Sequence, residues 1–403
     1  MNTRPRTRAA VAALLALAGV PGLAAAQGDF EQCLARLEAE AERHGISPAT
    51  TEKVLPTVRP LPRVVRADRN QPEFVETFAT YFGRRVTARR VATGRELLRR
   101  NASLLRDIAA EHGVAPQYLV ALWGLETGYG QILGDVPVFD SLATLACDAR
   151  RSGYFTTEFV NALRIVDDGI SPDTMIGSWA GAMGQTQFMP SVYLEHGVDG
   201  DGDGVVDLWG SLADAFASAA EFLRALGWRE GWRWGREVVL PEGFDYTLAG
   251  RDRPQALDAW RRLGVVTADG APVPALRHTA ALLVPSGHEG PAFLVYENFE
   301  ALMRWNPSEF FALTVGHLAD RIAGAPPLRV APPEGPPLTR DRIEALQRKL
   351  NALGYDSGEP DGLVGSATRR AVSRWQRANG LVADGHVDAE LLQALDLLPP
   401  ASE

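Results

Sequence analysis

The chain has 403 residues, which sets an expectation of two or three domains. Its 46% hydrophobic content is enough for sizeable cores and excludes wholesale disorder. Acidic residues outnumber basic ones, 50 to 41, for a formal charge of −9; with no polybasic run or arginine–aromatic stripe, that balance argues against a nucleic-acid partner.

The first 26 residues hold three arginines and no acid. Arg4, Arg6 and Arg8 form a positive n-region before an apolar run from Ala9 to Ala18. Gly19, Pro21 and Gly22 break that run, and Ala24-Ala25-Ala26 offers small residues for cleavage before Gln27. Residues 1–26 therefore read as a cleavable signal peptide. The run is too short for a membrane anchor, which needs about 20 apolar residues. Cys33 follows Phe30-Glu31-Gln32 rather than small residues, which argues against lipid attachment. Cleavage would leave 38 basic and 50 acidic residues, a net charge of −12, on an exported chain with no transmembrane segment. Cys33 and Cys147 are the two cysteines, and in an oxidising compartment they suggest one disulfide, with two buried thiols as the alternative.

Residues 27–323 read as one mostly helical unit. Phe30, Cys33, Leu34, Leu37 and Ala41 recur at helical spacing before Gly45. Val75–Val114 is a long helical pattern dense in arginine, and Pro116 opens a helix that runs to Tyr129. Residues 158–168 and 211–226 predict two more helices. Between about 236 and 298 short β-rich runs appear among Gly/Pro turns, including Val238-Val239-Leu240 and Phe293-Leu294-Val295-Tyr296. A helix from Pro307 to Ile322 closes the unit. Residues 324–339 form a proline-rich linker, expected to behave as a semi-rigid extended spacer. Residues 340–396 carry their own helical pattern, with Ile343, Leu346, Leu350 and Leu353 on one face.

Three segments carry candidate chemistry. Glu126 ends the helix PQYLVALWGLETGYG among Leu119, Val120, Leu122, Trp123 and Leu125. Loss of hydration in such surroundings favours the protonated form, which a general acid needs near neutral pH. GSWAGAMGQTQFMP, residues 177–190, combines Gly177, Gly181 and Gly184 with Ser178, Gln185 and Gln187. The glycines would let backbone approach a ligand closely, and the polar side chains suit hydroxyls and N-acetyl amides; a tightly packed turn is the alternative. Asp199, Asp201, Asp203 and Asp207 are spaced like positions 1, 3, 5 and 9 of an EF-hand loop, with Gly204 at the turn. Position 12 would be Gly210 rather than the usual glutamate.

The segments FVETFATYFGRRV, ALWGLETGYG, GSWAGAMGQTQFMPSVY and ENFEALMRWNPSEFFALTVGHLADRI, in that order, resemble the lytic murein transglycosylases of the B type. IEALQRKLNALGYDSGEPDGLVGSATRRAVSRWQRANGLVADG resembles the type 1 peptidoglycan-binding domain. The resemblance implies a mainly α protein: a lysozyme-like helical catalytic domain with a small β-containing insertion, then a separate three-helix module. It implies that Glu126 is the single acid/base, acting on peptidoglycan glycan strands without a cofactor. Tyr81, Ser178, Gln187 and Asn306 would be substrate contacts, and a late acid, Asp214, would join the calcium loop. Phe222 and Phe311 stand where the family pattern often has tyrosine. Trp123, Trp179 and Trp305 are expected in the core rather than at the sugar. The implied setting is the periplasm of a Gram-negative bacterium, where cell-wall synthases or amidases would be the protein partners. A hydrolytic muramidase on the same fold and a non-catalytic wall-binding scaffold are the competing readings.

Overall fold

The computed structural model describes residues 21–69, 76–335 and 338–398. Most of the expected signal peptide lies outside them. The N-terminal part contains α1 (Pro21–Arg43), α2 (Pro48–Val54) and α3 (Pro62–Arg69), each opened by a proline whose missing N–H costs nothing in a first turn. The arginine-dense stretch expected as one long helical pattern is three helices: α4 (Phe78–Arg85), α5 (Ala88–Arg100) and α6 (Ala102–His112). Thr77 and Thr87 start the first two by accepting the amides of Thr80 and Arg90. Next come α7 (Pro116–Thr127), a two-residue strand β1 (Val136–Pro137), α8 (Val138–Ala146) and α9 (Ser152–Asp167). A second short strand, β2 (Ile176–Gly177), pairs antiparallel with β1. Then follow α10 (Pro190–His196) and α11 (Leu212–Ala225).

The β-containing insertion comprises β3 (Gly235–Val239), β4 (Gln255–Ala256), α12 (Leu257–Arg262), β5 (Val266–Thr267), β6 (Thr279–Leu283) and β7 (Ala292–Val295). Its strands form one antiparallel sheet in the order β4-β6-β7-β3-β5. The central strands are buried on both faces, and the period of two shows why. Ala281, Leu283, Phe293 and Val295 face the helical core, whereas Ala280, Leu282, Ala292 and Leu294 face a smaller core built on Leu257 and Trp260. Two helices return to the helical body, α13 (Glu297–Trp305) and α14 (Glu309–Ile322). The C-terminal module is α15 (Arg340–Ala352), α16 (Ser366–Ala378) and α17 (Ala389–Ala394) around Leu346, Leu350, Val372, Trp375 and Leu391.

The helical body has two hydrophobic cores. One gathers α7, α11, α13 and α14 around Leu119, Leu122, Phe216 and Leu313. The other gathers α1, α8 and α9 around Leu37, Leu142, Phe159 and Leu163, with Met183 and Phe188 of the glycine-rich loop. Trp305 packs against both. The cysteines resolve as a disulfide, Cys33–Cys147, with Cα atoms 5.9 Å apart, fastening α1 to the end of α8. Among the described residues, no helix is long and apolar enough to cross a membrane.

Candidate active site

The helix α7 is buried almost all round, from Tyr118 to Gly124, and Glu126 is half-exposed in its last turn. The chain leaves the helix through Gly128, Tyr129 and Gly130, all with left-handed backbone (φ 59°, 65° and 78°). Tyr129 is the costly member of this turn, and its hydroxyl holds it there by donating to Arg90 O at 2.8 Å. Thr127 ties the turn down: its Oγ1 donates to Gln185 O at 2.9 Å and accepts from Gly130 N at 3.0 Å.

Gln185 joins that helix to the glycine-rich loop. Its Oε1 accepts from the Trp123 indole at 2.8 Å, and its Nε2 donates to Trp209 O at 2.8 Å. Side chain and backbone of this buried residue are thus committed inside the protein, so Gln185 is a strut rather than a ligand contact. The loop glycines are likewise spent on internal packing. A Cβ at Gly177 would lie 2.1 Å from Ala182 O, one at Gly181 2.4 Å from the Leu142 side chain, and one at Gly184 2.6 Å from Leu208 O. The tightly packed turn is therefore the correct account of these glycines. Met183 and Phe188 pair their backbones in both directions, at 2.7 and 2.9 Å, which closes the loop as a small hairpin.

The expected substrate contacts occupy different settings. Ser178 Oγ accepts the amides of Ala180 (3.3 Å) and Ala182 (3.1 Å), which leaves its O–H to donate. Gln187, at φ 55°, donates through Nε2 to Gly184 O (3.0 Å) and to Leu133 O (3.2 Å), linking the loop to the segment after Glu126. Its Oε1 is the group suited to accept from a sugar hydroxyl or amide. Asn306 follows Trp305 at the end of α13, half-buried. Tyr81 is only 4% exposed, with the Arg85 guanidinium 3.6 Å over its ring and Phe310 beside it at 5.9 Å. Phe311 is buried in the first core, so it offers no stacking surface.

Trp123 and Trp179 pack as expected against the cores, but Trp305 does more. Its indole Nε1 donates to Glu126 Oε1 at 2.9 Å. Phe188 and Phe222 grip the ring, with centroids at 5.6 and 5.1 Å, and His196 stacks on Phe222 at 4.8 Å. Sequence reasoning assigned Trp305 to the core by residue type. The available signal was its place directly before Asn306 at a helix end.

In the acidic loop, ligand oxygens of Asp199, Asp201 and Asp203 lie within 4.8 Å of one another. Asp207 and Asp214 do not join them. Asp207 Oδ1 accepts the amides of Trp209 and Gly210, both at 2.9 Å. Asp214 accepts the amides of Gly200 (2.9 Å) and Asp207 (2.7 Å). Burial pushes the Asp214 carboxyl above its ordinary pKa, although those two amides oppose the shift. Asp199 also accepts the amides of Gly202, Asp203 and Gly204, so the same carboxylate closes the loop and converges, and spacing alone could not tell which acids would converge. The three that converge fit a hard cation in charge and type, but the bidentate position-12 ligand is missing.

With this arrangement in view, the comparisons are specific. Residues 29–320 match the family described as transglycosylase SLT domain, and residues 339–395 match the putative peptidoglycan binding domain. Membrane-bound lytic murein transglycosylase B of Escherichia coli is 32% identical over 226 residues, 53% of this chain and 58% of that protein. The chain thus spans somewhat over half the length of that curated relative. SltB3 from Pseudomonas aeruginosa, solved in complex with NAG-anhNAM-pentapeptide, is 42% identical with a TM-score of 0.88, covering 91% of this chain and 99% of that one. The Escherichia coli lytic transglycosylase Slt35, solved in complex with calcium, is 26% identical with a TM-score of 0.61, covering 73% of this chain and 92% of that one. On the strength of a match across most of its length, this chain belongs to the transglycosylase SLT domain family.

Proposed function

We propose that the protein is a periplasmic lytic transglycosylase that cleaves the β-1,4 bond between N-acetylmuramic acid and N-acetylglucosamine in peptidoglycan. The observation that carries this reading is the half-buried Glu126, held at the meeting of two cores by an indole N–H, inside a family match spanning residues 29–320. Glu126 protonates the glycosidic oxygen as the C1–O bond breaks. As a carboxylate it then takes the proton of the muramoyl C6 hydroxyl, whose oxygen bonds to C1 and closes the 1,6-anhydro ring. The proton lent in the first step is recovered in the second, so no water is consumed. An ordinary glycosidase needs a second flanking carboxylate for this work. The anhydro-muramoyl ligand in SltB3 supports the reading. Ser178, Gln187 and Asn306 contact the sugars, and Tyr81 presents at most an edge.

Residues 1–26 direct export, residues 27–323 carry the chemistry, and residues 340–396 hold the enzyme to the wall beyond the 324–339 linker. Asp199, Asp201 and Asp203 hold a weakly bound structural calcium, a reading supported by their convergence and by the calcium complex of Slt35. In that loop calcium would neutralise carboxylate repulsion and take no part in the chemistry. Calcium at about 10 mM should then raise unfolding stability by about 1–3 kcal/mol over the chelated protein. An Asp201→Asn/Asp203→Asn variant should lose that gain; an equal gain in the variant would place the ion elsewhere.

The decisive experiment digests purified sacculi with the parent protein and Glu126→Gln, with mass spectrometry of the products. Anhydro-muramoyl ends from the parent and none from the variant are expected. Reducing ends of hydrolysed mass would make the protein a muramidase. Equal wall clearance by Glu126→Gln would remove Glu126 from the chemistry.

A further inference from the structure

We infer that Ile132 is a specificity-determining contact of the sugar cleft: its aliphatic side chain takes a methyl-bearing substituent of the bound strand, an acetamido or a lactyl group. This rests on the reading of Glu126 and its cleft proposed above. Ile132 is 72% exposed, the most exposed of the large hydrophobic side chains among the described residues. Single exposed apolar residues are ordinary on a protein surface, so place and rigidity carry the argument. The others in the catalytic part, Tyr154, Val205, Leu263 and Leu276, belong to α9, the acidic loop and the β-containing insertion. Ile132 alone among them belongs to the turn that leaves Glu126.

That turn is bonded to the site at both ends. Ile132 N donates to Thr127 O at 2.9 Å, directly beside Glu126. Leu133 O accepts from Gln187 Nε2 at 3.2 Å. Gly134 follows with left-handed backbone, φ 101°, and runs close to the glycine-rich loop: a Cβ there would lie 1.9 Å from Gly177 O and 2.8 Å from Ser178 N. Val136 then pairs with Gly177. The backbone around Ile132 is thus fixed between the acid's helix and two of the residues proposed as sugar contacts, while its side chain stays in water. Isoleucine is branched at Cβ and stiff at χ1, so it has little freedom to lose when a ligand covers it.

The chemistry of the side chain selects its partner. It has no donor or acceptor, so it cannot read a hydroxyl. It has no flat aromatic face on which a pyranose ring would stack. What it offers is a compact apolar knob, and the complementary groups on peptidoglycan are methyls: the acetamido methyl of both sugars and the lactyl methyl of N-acetylmuramic acid. Ser178 keeps an O–H to donate and Gln187 an Oε1 to accept, so polar atoms beside such a methyl find partners on neighbouring residues. Covering Ile132 removes apolar surface from water, a gain made equally in the bound substrate and in the transition state. Ile132 therefore acts on KM and not on kcat.

The test uses the full chain, soluble glycan strands carrying stem peptides, and chitotetraose, which has acetamido but no lactyl groups. Ile132→Ser should raise KM for the strands about 5- to 20-fold, with kcat and its pH profile unchanged. Ile132→Val keeps a branched aliphatic group and should recover most of the loss. If the inhibition constant of chitotetraose rises together with KM, the methyl is that of an acetamido group; if KM rises alone, it is that of a lactyl group. A KM within about twofold of the parent for Ile132→Ser would overturn the inference. So would a fall in kcat and melting temperature with KM unmoved, which marks a structural role. Strand binding by Glu126→Gln, with and without Ile132→Ser, separates this inference from the reading beneath it. Weaker binding in the double variant, with no anhydro ends from the parent, would sink only the lytic reading. Turnover by the parent, with equal binding in the two variants, would sink only the role of Ile132.

Discussion

Gln185 shows how one buried amide can hold the turn that carries Glu126. It is bonded at Oε1, at Nε2 and along its backbone, and its backbone carbonyl receives the hydroxyl of Thr127, the neighbour of Glu126. Gln185→Leu keeps the volume but leaves the Trp123 N–H and Trp209 O without partners. One buried and one half-buried polar group left in that state should cost about 2–4 kcal/mol in urea unfolding. A loss below about 0.5 kcal/mol, within the range of ordinary surface changes, would mean that water replaces the amide. Gln185→Glu is the sharper variant, because it keeps the acceptor for Trp123 while placing an acceptor against Trp209 O. At this scale the sequence was legible in part. Glu126 stood out because an acid is conspicuous in so apolar a helix. The direction of Gln185 and the N–H of Trp305 were not legible, since residue type tells that a group is polar or apolar but not which partner a tertiary fold brings to it.

Elements show the same division between local and non-local information. The proline-led α7 and the strands β3, β6 and β7 follow from local composition. The division of the arginine-rich stretch into three helices, the short edge strands β4 and β5, and the two buried faces of the sheet depend on packing. Helix α14 carries a further consequence of packing. His317 is 7% exposed, lies 5.2 Å from the Phe82 ring, and its Nε2 has no hydrogen-bond partner among the described residues. Burial pushes its pKa down to about 3, with the positive charge of Arg321 adding to the effect. An unfolded chain protonates this histidine near pH 6.5, whereas the folded one resists until about pH 3. The unfolded state therefore binds the extra proton, and stability falls as pH drops between those values, by up to about 1.4 kcal/mol per pH unit. His317→Leu should flatten this part of the stability profile while leaving pH 8 behaviour close to the parent. Thermal unfolding at pH 8 and pH 5 checks it; parallel losses in parent and variant would assign the acid sensitivity to other groups.

Over the whole molecule, the proline-rich segment is strapped down rather than hanging as a spacer. Glu237 on β3 accepts the amides of Arg329 and Val330 at 2.9 and 3.0 Å, so the segment follows the insertion before it reaches the module. The module is then clasped to the catalytic part by charge. Arg369, Arg370 and Arg377 of α16 pair with Glu309, Asp252 and Asp245, and Asp384 meets His288. Exposed pairs of this kind contribute little singly, which makes Asp384 the discriminating member. Its side chain is 2% exposed and receives the amides of His288 and His386, both at 2.9 Å, the His288 ring at 2.7 Å and Gln376 Nε2 at 2.9 Å. Burial alone would raise its pKa, but these donors outweigh burial and hold the carboxyl below its ordinary value. A depressed carboxylate stabilises the docked form above the unperturbed value near 4 and loses that contribution only as pH falls through the lowered one. Docking should accordingly persist from pH 8 to pH 5 and weaken in stronger acid. Asp384→Ala combined with Arg369→Ala should release the module at neutral pH, seen as a larger radius of gyration in solution scattering and faster proteolysis within residues 324–339. Sodium chloride at about 1 M should widen the difference from the parent, because it screens the two remaining exposed pairs while the Glu237 strap consists of hydrogen bonds to backbone. If scattering and proteolysis both match the parent, the strap alone fixes the module. Adding Glu237→Ala to the double variant would then be the change that frees it.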